Sequence, residues 1–182
     1  MNEATRVGDD VAVDRGKGTQ EALGVSGEVL VEVFGPDGDL KSSCRTRNLV
    51  TAIGDRLYAS RGAGLTTSAL PTGMKLGTGS TAVAKTGAGA ALVTYLPGSN
   101  KAFDATFPSE SGGVVTYKRT YAAGEATTAS AITEVAIVTD TITTDATSTA
   151  ANTIARALLT GIGSKGSVDS LAVTWTHTIL GA

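Results

Sequence analysis

Residues 171–180 read LAVTWTHTIL, and apolar and polar side chains alternate along the stretch. In an extended chain one face would carry Leu171, Val173, Trp175, His177 and Ile179. A period of two residues is typical of a β-strand that buries one of its faces. The stretch therefore predicts a strand whose tryptophan side faces a core.

The same alternation occurs near the other end of the chain. Val29, Val31 and Val33 alternate with larger or charged residues, and the turn sequence GPDG follows at 35–38. Residues 40–47 then return as an extended run, so this region predicts a β-hairpin. Short runs separated by Gly, Ser and Thr predict further strands at 74–76, 91–96, 103–107, 114–122, 132–139 and 153–160. The predicted fold is mainly β, an antiparallel β-sandwich of jelly-roll type.

One helix is predicted, at about residues 48–61. Its apolar residues Leu49, Ile53 and Leu57 recur every four positions, and Asn48 is a suitable N-cap. Glycines at 62 and 64 end the pattern. Residues 140–153, dense in Thr and Asp, predict an exposed loop or an irregular excursion.

Residues 1–26 form an N-terminal arm distinct from the body at 27–182. The arm mixes charged and small residues without an aromatic one, so we expect it to become ordered only against another subunit. Ordering a backbone costs roughly 1–2 kcal/mol per residue, which requires extensive contacts. The residues that we expect to make them are Arg6, Val11, Val13, Leu23 and Val25.

Composition excludes several classes of partner. A net charge of −2 gives no broad positive field, so we expect no nucleic acid. No run approaches the ~20 apolar residues of a membrane span, and the N-terminus lacks the pattern of a signal peptide, so we expect no membrane partner and synthesis in a cytoplasm. The single cysteine, Cys44, cannot form an intramolecular disulfide.

We expect no catalytic residue, and the protein is predicted not to be an enzyme. The only histidine, His177, lies on the apolar face of a strand, which favours a hydrogen-bonded core or interface residue. Cys44 has one adjacent arginine and no evident base. The GIGSKGS run at 161–167 has its lysine in the wrong place for a phosphate loop and predicts a turn, and GTGSTA at 77–82 lacks the helix that a dinucleotide fingerprint requires.

Neither a metal site nor a cofactor is predicted, because one histidine and one cysteine cannot supply a zinc set and no calcium-loop spacing occurs. The most basic stretch contains Lys41, Arg45 and Arg47, with further arginines at 56 and 61. Two interpretations stay open for it: a solvated face, or a contact with an acidic surface of a partner.

Several segments resemble a recurrent class of tailed-bacteriophage structural proteins. They are RTRNLVTAIGDRL at 45–57, MKLGTG at 74–79, TYAAGE at 120–125, ITEVAI at 132–137, IAR at 154–156 and GSVDSLAVTWT at 166–176. In that class a helix precedes a GTG strand turn, and the last strand reads S-L-x-V-T-W-T. These motifs form the fold and bring no catalytic or metal residue with them.

The resemblance implies a virion structural protein that acts as a capsid decoration, or cement, protein. The implied partners are the major capsid protein or other virion subunits, the implied location is the capsid surface, and the implied state is a homo-oligomer, specifically a trimer. A tail-tip, baseplate or tail-fibre accessory module is the alternative, since it would use the same sandwich.

Overall fold

The structure is a computed structural model that describes residues 24–179. It contains ten β-strands, one α-helix (α1) and a short 3-10 helix at Gly87–Ala90. The α-helix is Ala52–Gly62, and the strands in chain order are β1 Ser26–Phe34, β2 Leu40–Arg47, β3 Leu49–Val50, β4 Gly73–Gly77, β5 Lys101–Ala102, β6 Ser109–Ser111, β7 Val114–Tyr121, β8 Glu134–Val138, β9 Thr153–Leu158 and β10 Ser170–Thr178.

The strands form two antiparallel sheets of five strands each. Sheet A has the order β2-β1-β10-β7-β6, and sheet B has the order β3-β9-β8-β4-β5. The predicted mainly β fold with a single α-helix is confirmed, and the arrangement fits a sandwich. The finer assignment to a jelly roll stays a prediction.

The alternating strands behave as their sequences indicate. Along β10 every second residue is buried, and Trp175 and His177 both have no exposed surface. β1 buries its three valines in the same way, and it pairs with β2 on one side and β10 on the other. The predicted hairpin at 28–47 is confirmed, with Gly38 at a positive φ of 85° in its turn.

Helix α1 begins later than predicted. Thr51 is its N-cap, because the Thr51 hydroxyl accepts from the Gly54 amide at 3.2 Å. Asn48 does not cap the helix, since residues 49–50 form the short strand β3. Gly54 lies where the helix meets β9, and a Cβ at this position would fall 2.2 Å from the Ile154 carbonyl oxygen. The close approach of helix and strand therefore requires glycine.

Two of the predicted strands do not form. The main chain at 91–96 makes only an isolated bridge, between Tyr95 and Gly77. The amides of Val93 and Thr94 donate to the Glu134 carboxylate instead of to a strand. At 103–107 the chain turns, and the Phe107 amide donates to the Asp104 carbonyl at 3.1 Å. The Asp104 carboxylate accepts from the backbone amide and the hydroxyl of Thr120.

The two sheets differ in how their outer faces are covered. Every residue of β4 and β8 is buried, because the segments at 78–100 and 139–152 pack over the outer side of sheet B. In sheet A the outward residues of β1, β10 and β7 keep part of their surface, and the described residues place no segment over them. The loop predicted at 140–153 is therefore a cover whose Asp140 and Ser148 are buried, and its last residue, Thr153, begins β9.

Candidate functional site

The candidate site is the basic strand β2 together with the end of the body from which the N-terminal arm leaves. Lys41, Arg45 and Arg47 all lie on β2 and are exposed, whereas Cys44 between them is buried. The structure therefore brings the three predicted basic residues to one side of one strand. Of the predicted arm contacts, Arg6, Val11, Val13 and Leu23 lie outside the described residues.

The positive charges on β2 are only partly balanced. Lys41 Nζ lies 2.8 Å from the Asp169 carboxylate, and Arg45 forms an ion pair with Glu28 of β1. Glu28 is also the register partner of Arg47. Hydrogen bonds from Lys41 and from the Gly166 amide hold the pKa of Asp169 below its usual range, so that carboxylate stays ionised near neutral pH. Both cationic side chains of these pairs remain more than half exposed.

Exposed apolar side chains lie at one end of β2. Leu40 is 55% exposed and Val168 is 60% exposed. Phe34 of β1 pairs with Leu40 on one side and with Ser170 on the other. Leu40 and Val168, which lies two residues before Ser170, therefore belong to the same end of sheet A. This end therefore offers apolar surface beside the Lys41–Asp169 pair.

Val25, the described residue among the predicted arm contacts, is half-buried and lines a groove beside α1. The groove encloses about 490 Å³, and its lining includes Tyr58, Ala59, Lys85 and Ile179. Lys85 also forms an ion pair with Asp55 of the helix, at 2.6 Å. The groove therefore lies between the start of the described chain and helix α1.

His177 belongs to a buried polar cluster at this end of the sandwich. Its Nε2 lies 3.0 Å from Asn48 Nδ2, and its Nδ1 faces the Tyr58 hydroxyl, which lies 3.0 Å from that of Tyr117. Burial lowers the pKa of His177 to about 3, so the ring is neutral at physiological pH. The cluster joins helix α1 to sheet A, which gives Asn48 a role that the sequence did not indicate.

Two buried ion pairs anchor the segments that cover sheet B. Glu134 and Arg156 have no exposed side-chain surface, and Arg156 Nη2 lies 2.8 Å from Glu134 Oε2. Arg156 also donates to the carbonyl groups of Thr81 and Gly89. The pair thereby binds the covering segment at 78–94 to the sheet.

The second pair is Lys75 with Asp140, also 2.8 Å apart. Burial raises the pKa of Asp140, but hydrogen bonds from Lys75, Ser148 and Asn152 outweigh it, so this pKa lies below its usual range. Lys75 additionally donates to the Ala146 carbonyl at 2.7 Å. Both pairs were missed, and the one signal for them was a charged residue inside each otherwise apolar strand.

The sequences that superficially resemble ligand loops have structural roles. Lys165 is fully buried and donates to the carbonyl groups of Ala122 and Asp169, at 2.9 and 2.6 Å. This confirms the turn predicted at 161–167. Cys44 is buried as well, with its sulfur near the Thr160 amide at 3.5 Å.

Between residues 24 and 179, no group of three or more His, Cys, Asp or Glu side chains is arranged to hold a metal ion. The described helices include none with the length and apolar character needed to cross a membrane.

Comparison with protein-family models, curated proteins and solved structures found no match to this chain.

Proposed function

We propose that the protein is a structural component of a bacteriophage particle, a capsid decoration or cement protein that stabilises the shell. The arm and the sandwich body would both contact the major capsid protein or other virion subunits. The observation that carries the proposal is the difference between the two sheets. Sheet B is closed by its own loops, while sheet A leaves an outer face and the basic strand β2 accessible among the described residues.

The charge of β2 defines the surface that it would bind. Lys41, Arg45 and Arg47 form a local positive strip on a chain whose net charge is −2. Complementary charge steers association and fixes the register of an interface more than it adds affinity. An acidic surface on the shell is the partner that this strip favours.

Apolar surface supplies the other part of the interface. Leu40 and Val168 lie at the end of sheet A next to this strip, and burying a side chain of this size contributes about 1.5–3 kcal/mol. A mixed apolar and basic surface is typical of a protein contact. The resemblance to phage proteins adds the type of assembly and the trimeric state to the proposal.

The location of the protein tests the proposal most directly. Antibody labelling of purified particles in the electron microscope should place the protein on the capsid surface. Label confined to the tail would overturn the capsid role and favour the tail-tip, baseplate or fibre alternative. Particles that carry no label would overturn both.

Binding to shells stripped of decoration tests the surface itself. Arg47→Glu on β2 should lower the occupancy of stripped shells, because it reverses one charge of the basic strip. Arg56→Glu is the matched control, since Arg56 is an exposed arginine on helix α1. Both variants must keep the thermal stability of the parent protein. Equal occupancy for the two would mean that β2 does not face the shell.

A further inference from the structure

Strand β2 is an edge strand with an open side. It is the first strand in the order of sheet A, and among the described residues it pairs only with β1. Its contacts with the neighbouring segment at 160–162 use the inward side chains of Ser42 and Cys44. An eight-residue edge of this kind presents unpaired N–H and C=O groups that another strand can bind.

The charges on β2 select against pairing with a second β2. Lys41 and Arg45 are 52% and 61% exposed, and β2 contains no acidic residue. Two copies of the strand side by side would bring these cations together, and like charges on directly opposed residues destabilise a pair of strands. The edge is therefore suited to a strand that carries acidic residues.

This chain contains a sequence of that type. Residues 9–14 read DDVAVD and lie outside the described residues. In an extended chain Asp10, Ala12 and Asp14 would share one face and Val11 and Val13 the other. Asp10 and Asp14 are four residues apart, as are Lys41 and Arg45, so both spacings are about 13 Å along a strand. If Ala12 lies opposite Ser43, each aspartate lies opposite a cation whether the added strand runs parallel or antiparallel to β2.

The segment is also close enough to reach β2. The described chain begins at Gly24, and β1 starts beside the Arg47 end of β2, where Glu28 pairs with Arg47. The ten residue steps from Asp14 to Gly24 span up to about 33 Å, which exceeds the length of β2, about 26 Å. The arm of an adjacent copy would reach β2 with the same length of chain if its residue 24 lay near the Arg47 end of the strand.

We propose that residues 9–14 of this chain add to β2 as a sixth strand of sheet A, with Asp10 and Asp14 paired with Lys41 and Arg45. The strand comes from the same chain or from an adjacent copy. The pairing would engage Lys41 and Arg45 of the basic strip and leave Arg47, the residue tested in shell binding, for the shell. Its test uses only the purified protein, so its failure would leave shell binding by β2 untouched.

Disulfide trapping tests the pairing. In a Cys44→Ala background, Ala12→Cys is combined with Ser43→Cys, because these two positions are opposed in both strand directions. The matched control combines Ala12→Cys with Ser111→Cys on β6, the other edge strand of sheet A, where Ser111 is also exposed. Oxidation is followed on non-reducing gels, and the linked peptides are identified by mass spectrometry.

We expect the 12–43 disulfide to form faster than the 12–111 disulfide by on the order of tenfold or more, because pairing raises the local concentration of the two thiols. A product of monomer size assigns the strand to its own chain, and one of dimer size assigns it to a neighbouring copy; both support the pairing. Equal rates at the two edges, or no disulfide at either, would overturn it.

The charge pairing has its own test in the same background. Asp10→Lys with Asp14→Lys should slow formation of the 12–43 disulfide, and adding Lys41→Asp with Arg45→Asp should restore it. Slowing without restoration, in proteins that remain folded, would show that the aspartates do not pair with β2.

Discussion

Replacing Glu134 with glutamine should loosen the segment that covers sheet B. The Glu134 carboxylate accepts from the amides of Gly79, Val93 and Thr94, at 3.0, 3.1 and 2.7 Å. It also accepts from Arg156 Nε at 2.8 Å. A glutamine has nearly the same shape but carries a donor in place of one oxygen, so in either orientation it faces at least two of these donors with its own N–H groups.

The loss of stability expected for Glu134→Gln follows from the burial of the ion pair. Both side chains of the Glu134–Arg156 pair have no exposed surface, so the variant leaves a guanidinium without its counter-charge. Breaking a buried pair by removing one partner costs about 3–5 kcal/mol. Domains of this size are stable by only about 5–15 kcal/mol, so we expect a large shift of the urea midpoint. Hydrogen exchange should accelerate at the amides of Gly79, Val93 and Thr94.

Glu32→Gln is the control, because Glu32 lies on the partly exposed outer side of β1. Away from buried features such a change stays within about 0.5 kcal/mol. Arg156→Met, alone and with Glu134→Gln, completes a double-mutant cycle in which the double variant should lose less than the sum of the two. A loss below about 1 kcal/mol for Glu134→Gln, or additive losses in the cycle, would refute the argument that the pair anchors the loop.

Two further predictions concern the packing of helix α1 and the buried histidine. Gly54→Ala should destabilise the protein in thermal unfolding, although alanine favours a helix by about 1 kcal/mol, because its Cβ would meet the Ile154 carbonyl oxygen; Gly62→Ala, with open space around it, should be neutral or stabilising. For His177, the unfolded chain binds a proton below a pKa of about 6.5 that the folded ring, with a pKa of about 3, does not bind. The free energy of unfolding should therefore fall by up to about 1.4 kcal/mol per pH unit between about pH 6.5 and 5, and His177→Gln should remove this slope; parallel slopes for the two proteins would contradict it.

Strands with one buried face could be predicted because their periodicity is local. The hairpin of β1 and β2 and the face of β10 that carries Trp175 needed only the alternation of a few residues. The first residue of the helix could not be predicted from local sequence, because Asn48 and Thr51 are both residue types that cap helices. Tertiary contacts decide between them: Asn48 contacts His177, and Thr51 caps the helix. The chain at 91–96 was misassigned because its amides bind a carboxylate some forty residues away, which no local pattern reveals.

The candidate site was predictable in part for the same reason. Positions 41, 45 and 47 are separated by even numbers, so a strand places their side chains on one side. Their partners Glu28 and Asp169 come from another strand and a distant turn, and the sequence does not show this. The groove around Val25 likewise depends on the position of helix α1.

The buried ion pairs help to explain why the outer side of sheet B is covered while that of sheet A is open in the described part of the chain. A charge inside a protein is costly to separate from its partner, so the Lys75–Asp140 and Glu134–Arg156 pairs hold their loops against the sheet. Those loops cover the outer side of sheet B, where every residue of β4 and β8 is buried. Sheet A carries no comparable cover in the described part of the chain, and its edge strand combines unpaired backbone groups with positive charge. Among the described sheet edges, β2 is an eight-residue strand with three exposed cations, so acidic residues would favour the association of a partner strand with this edge.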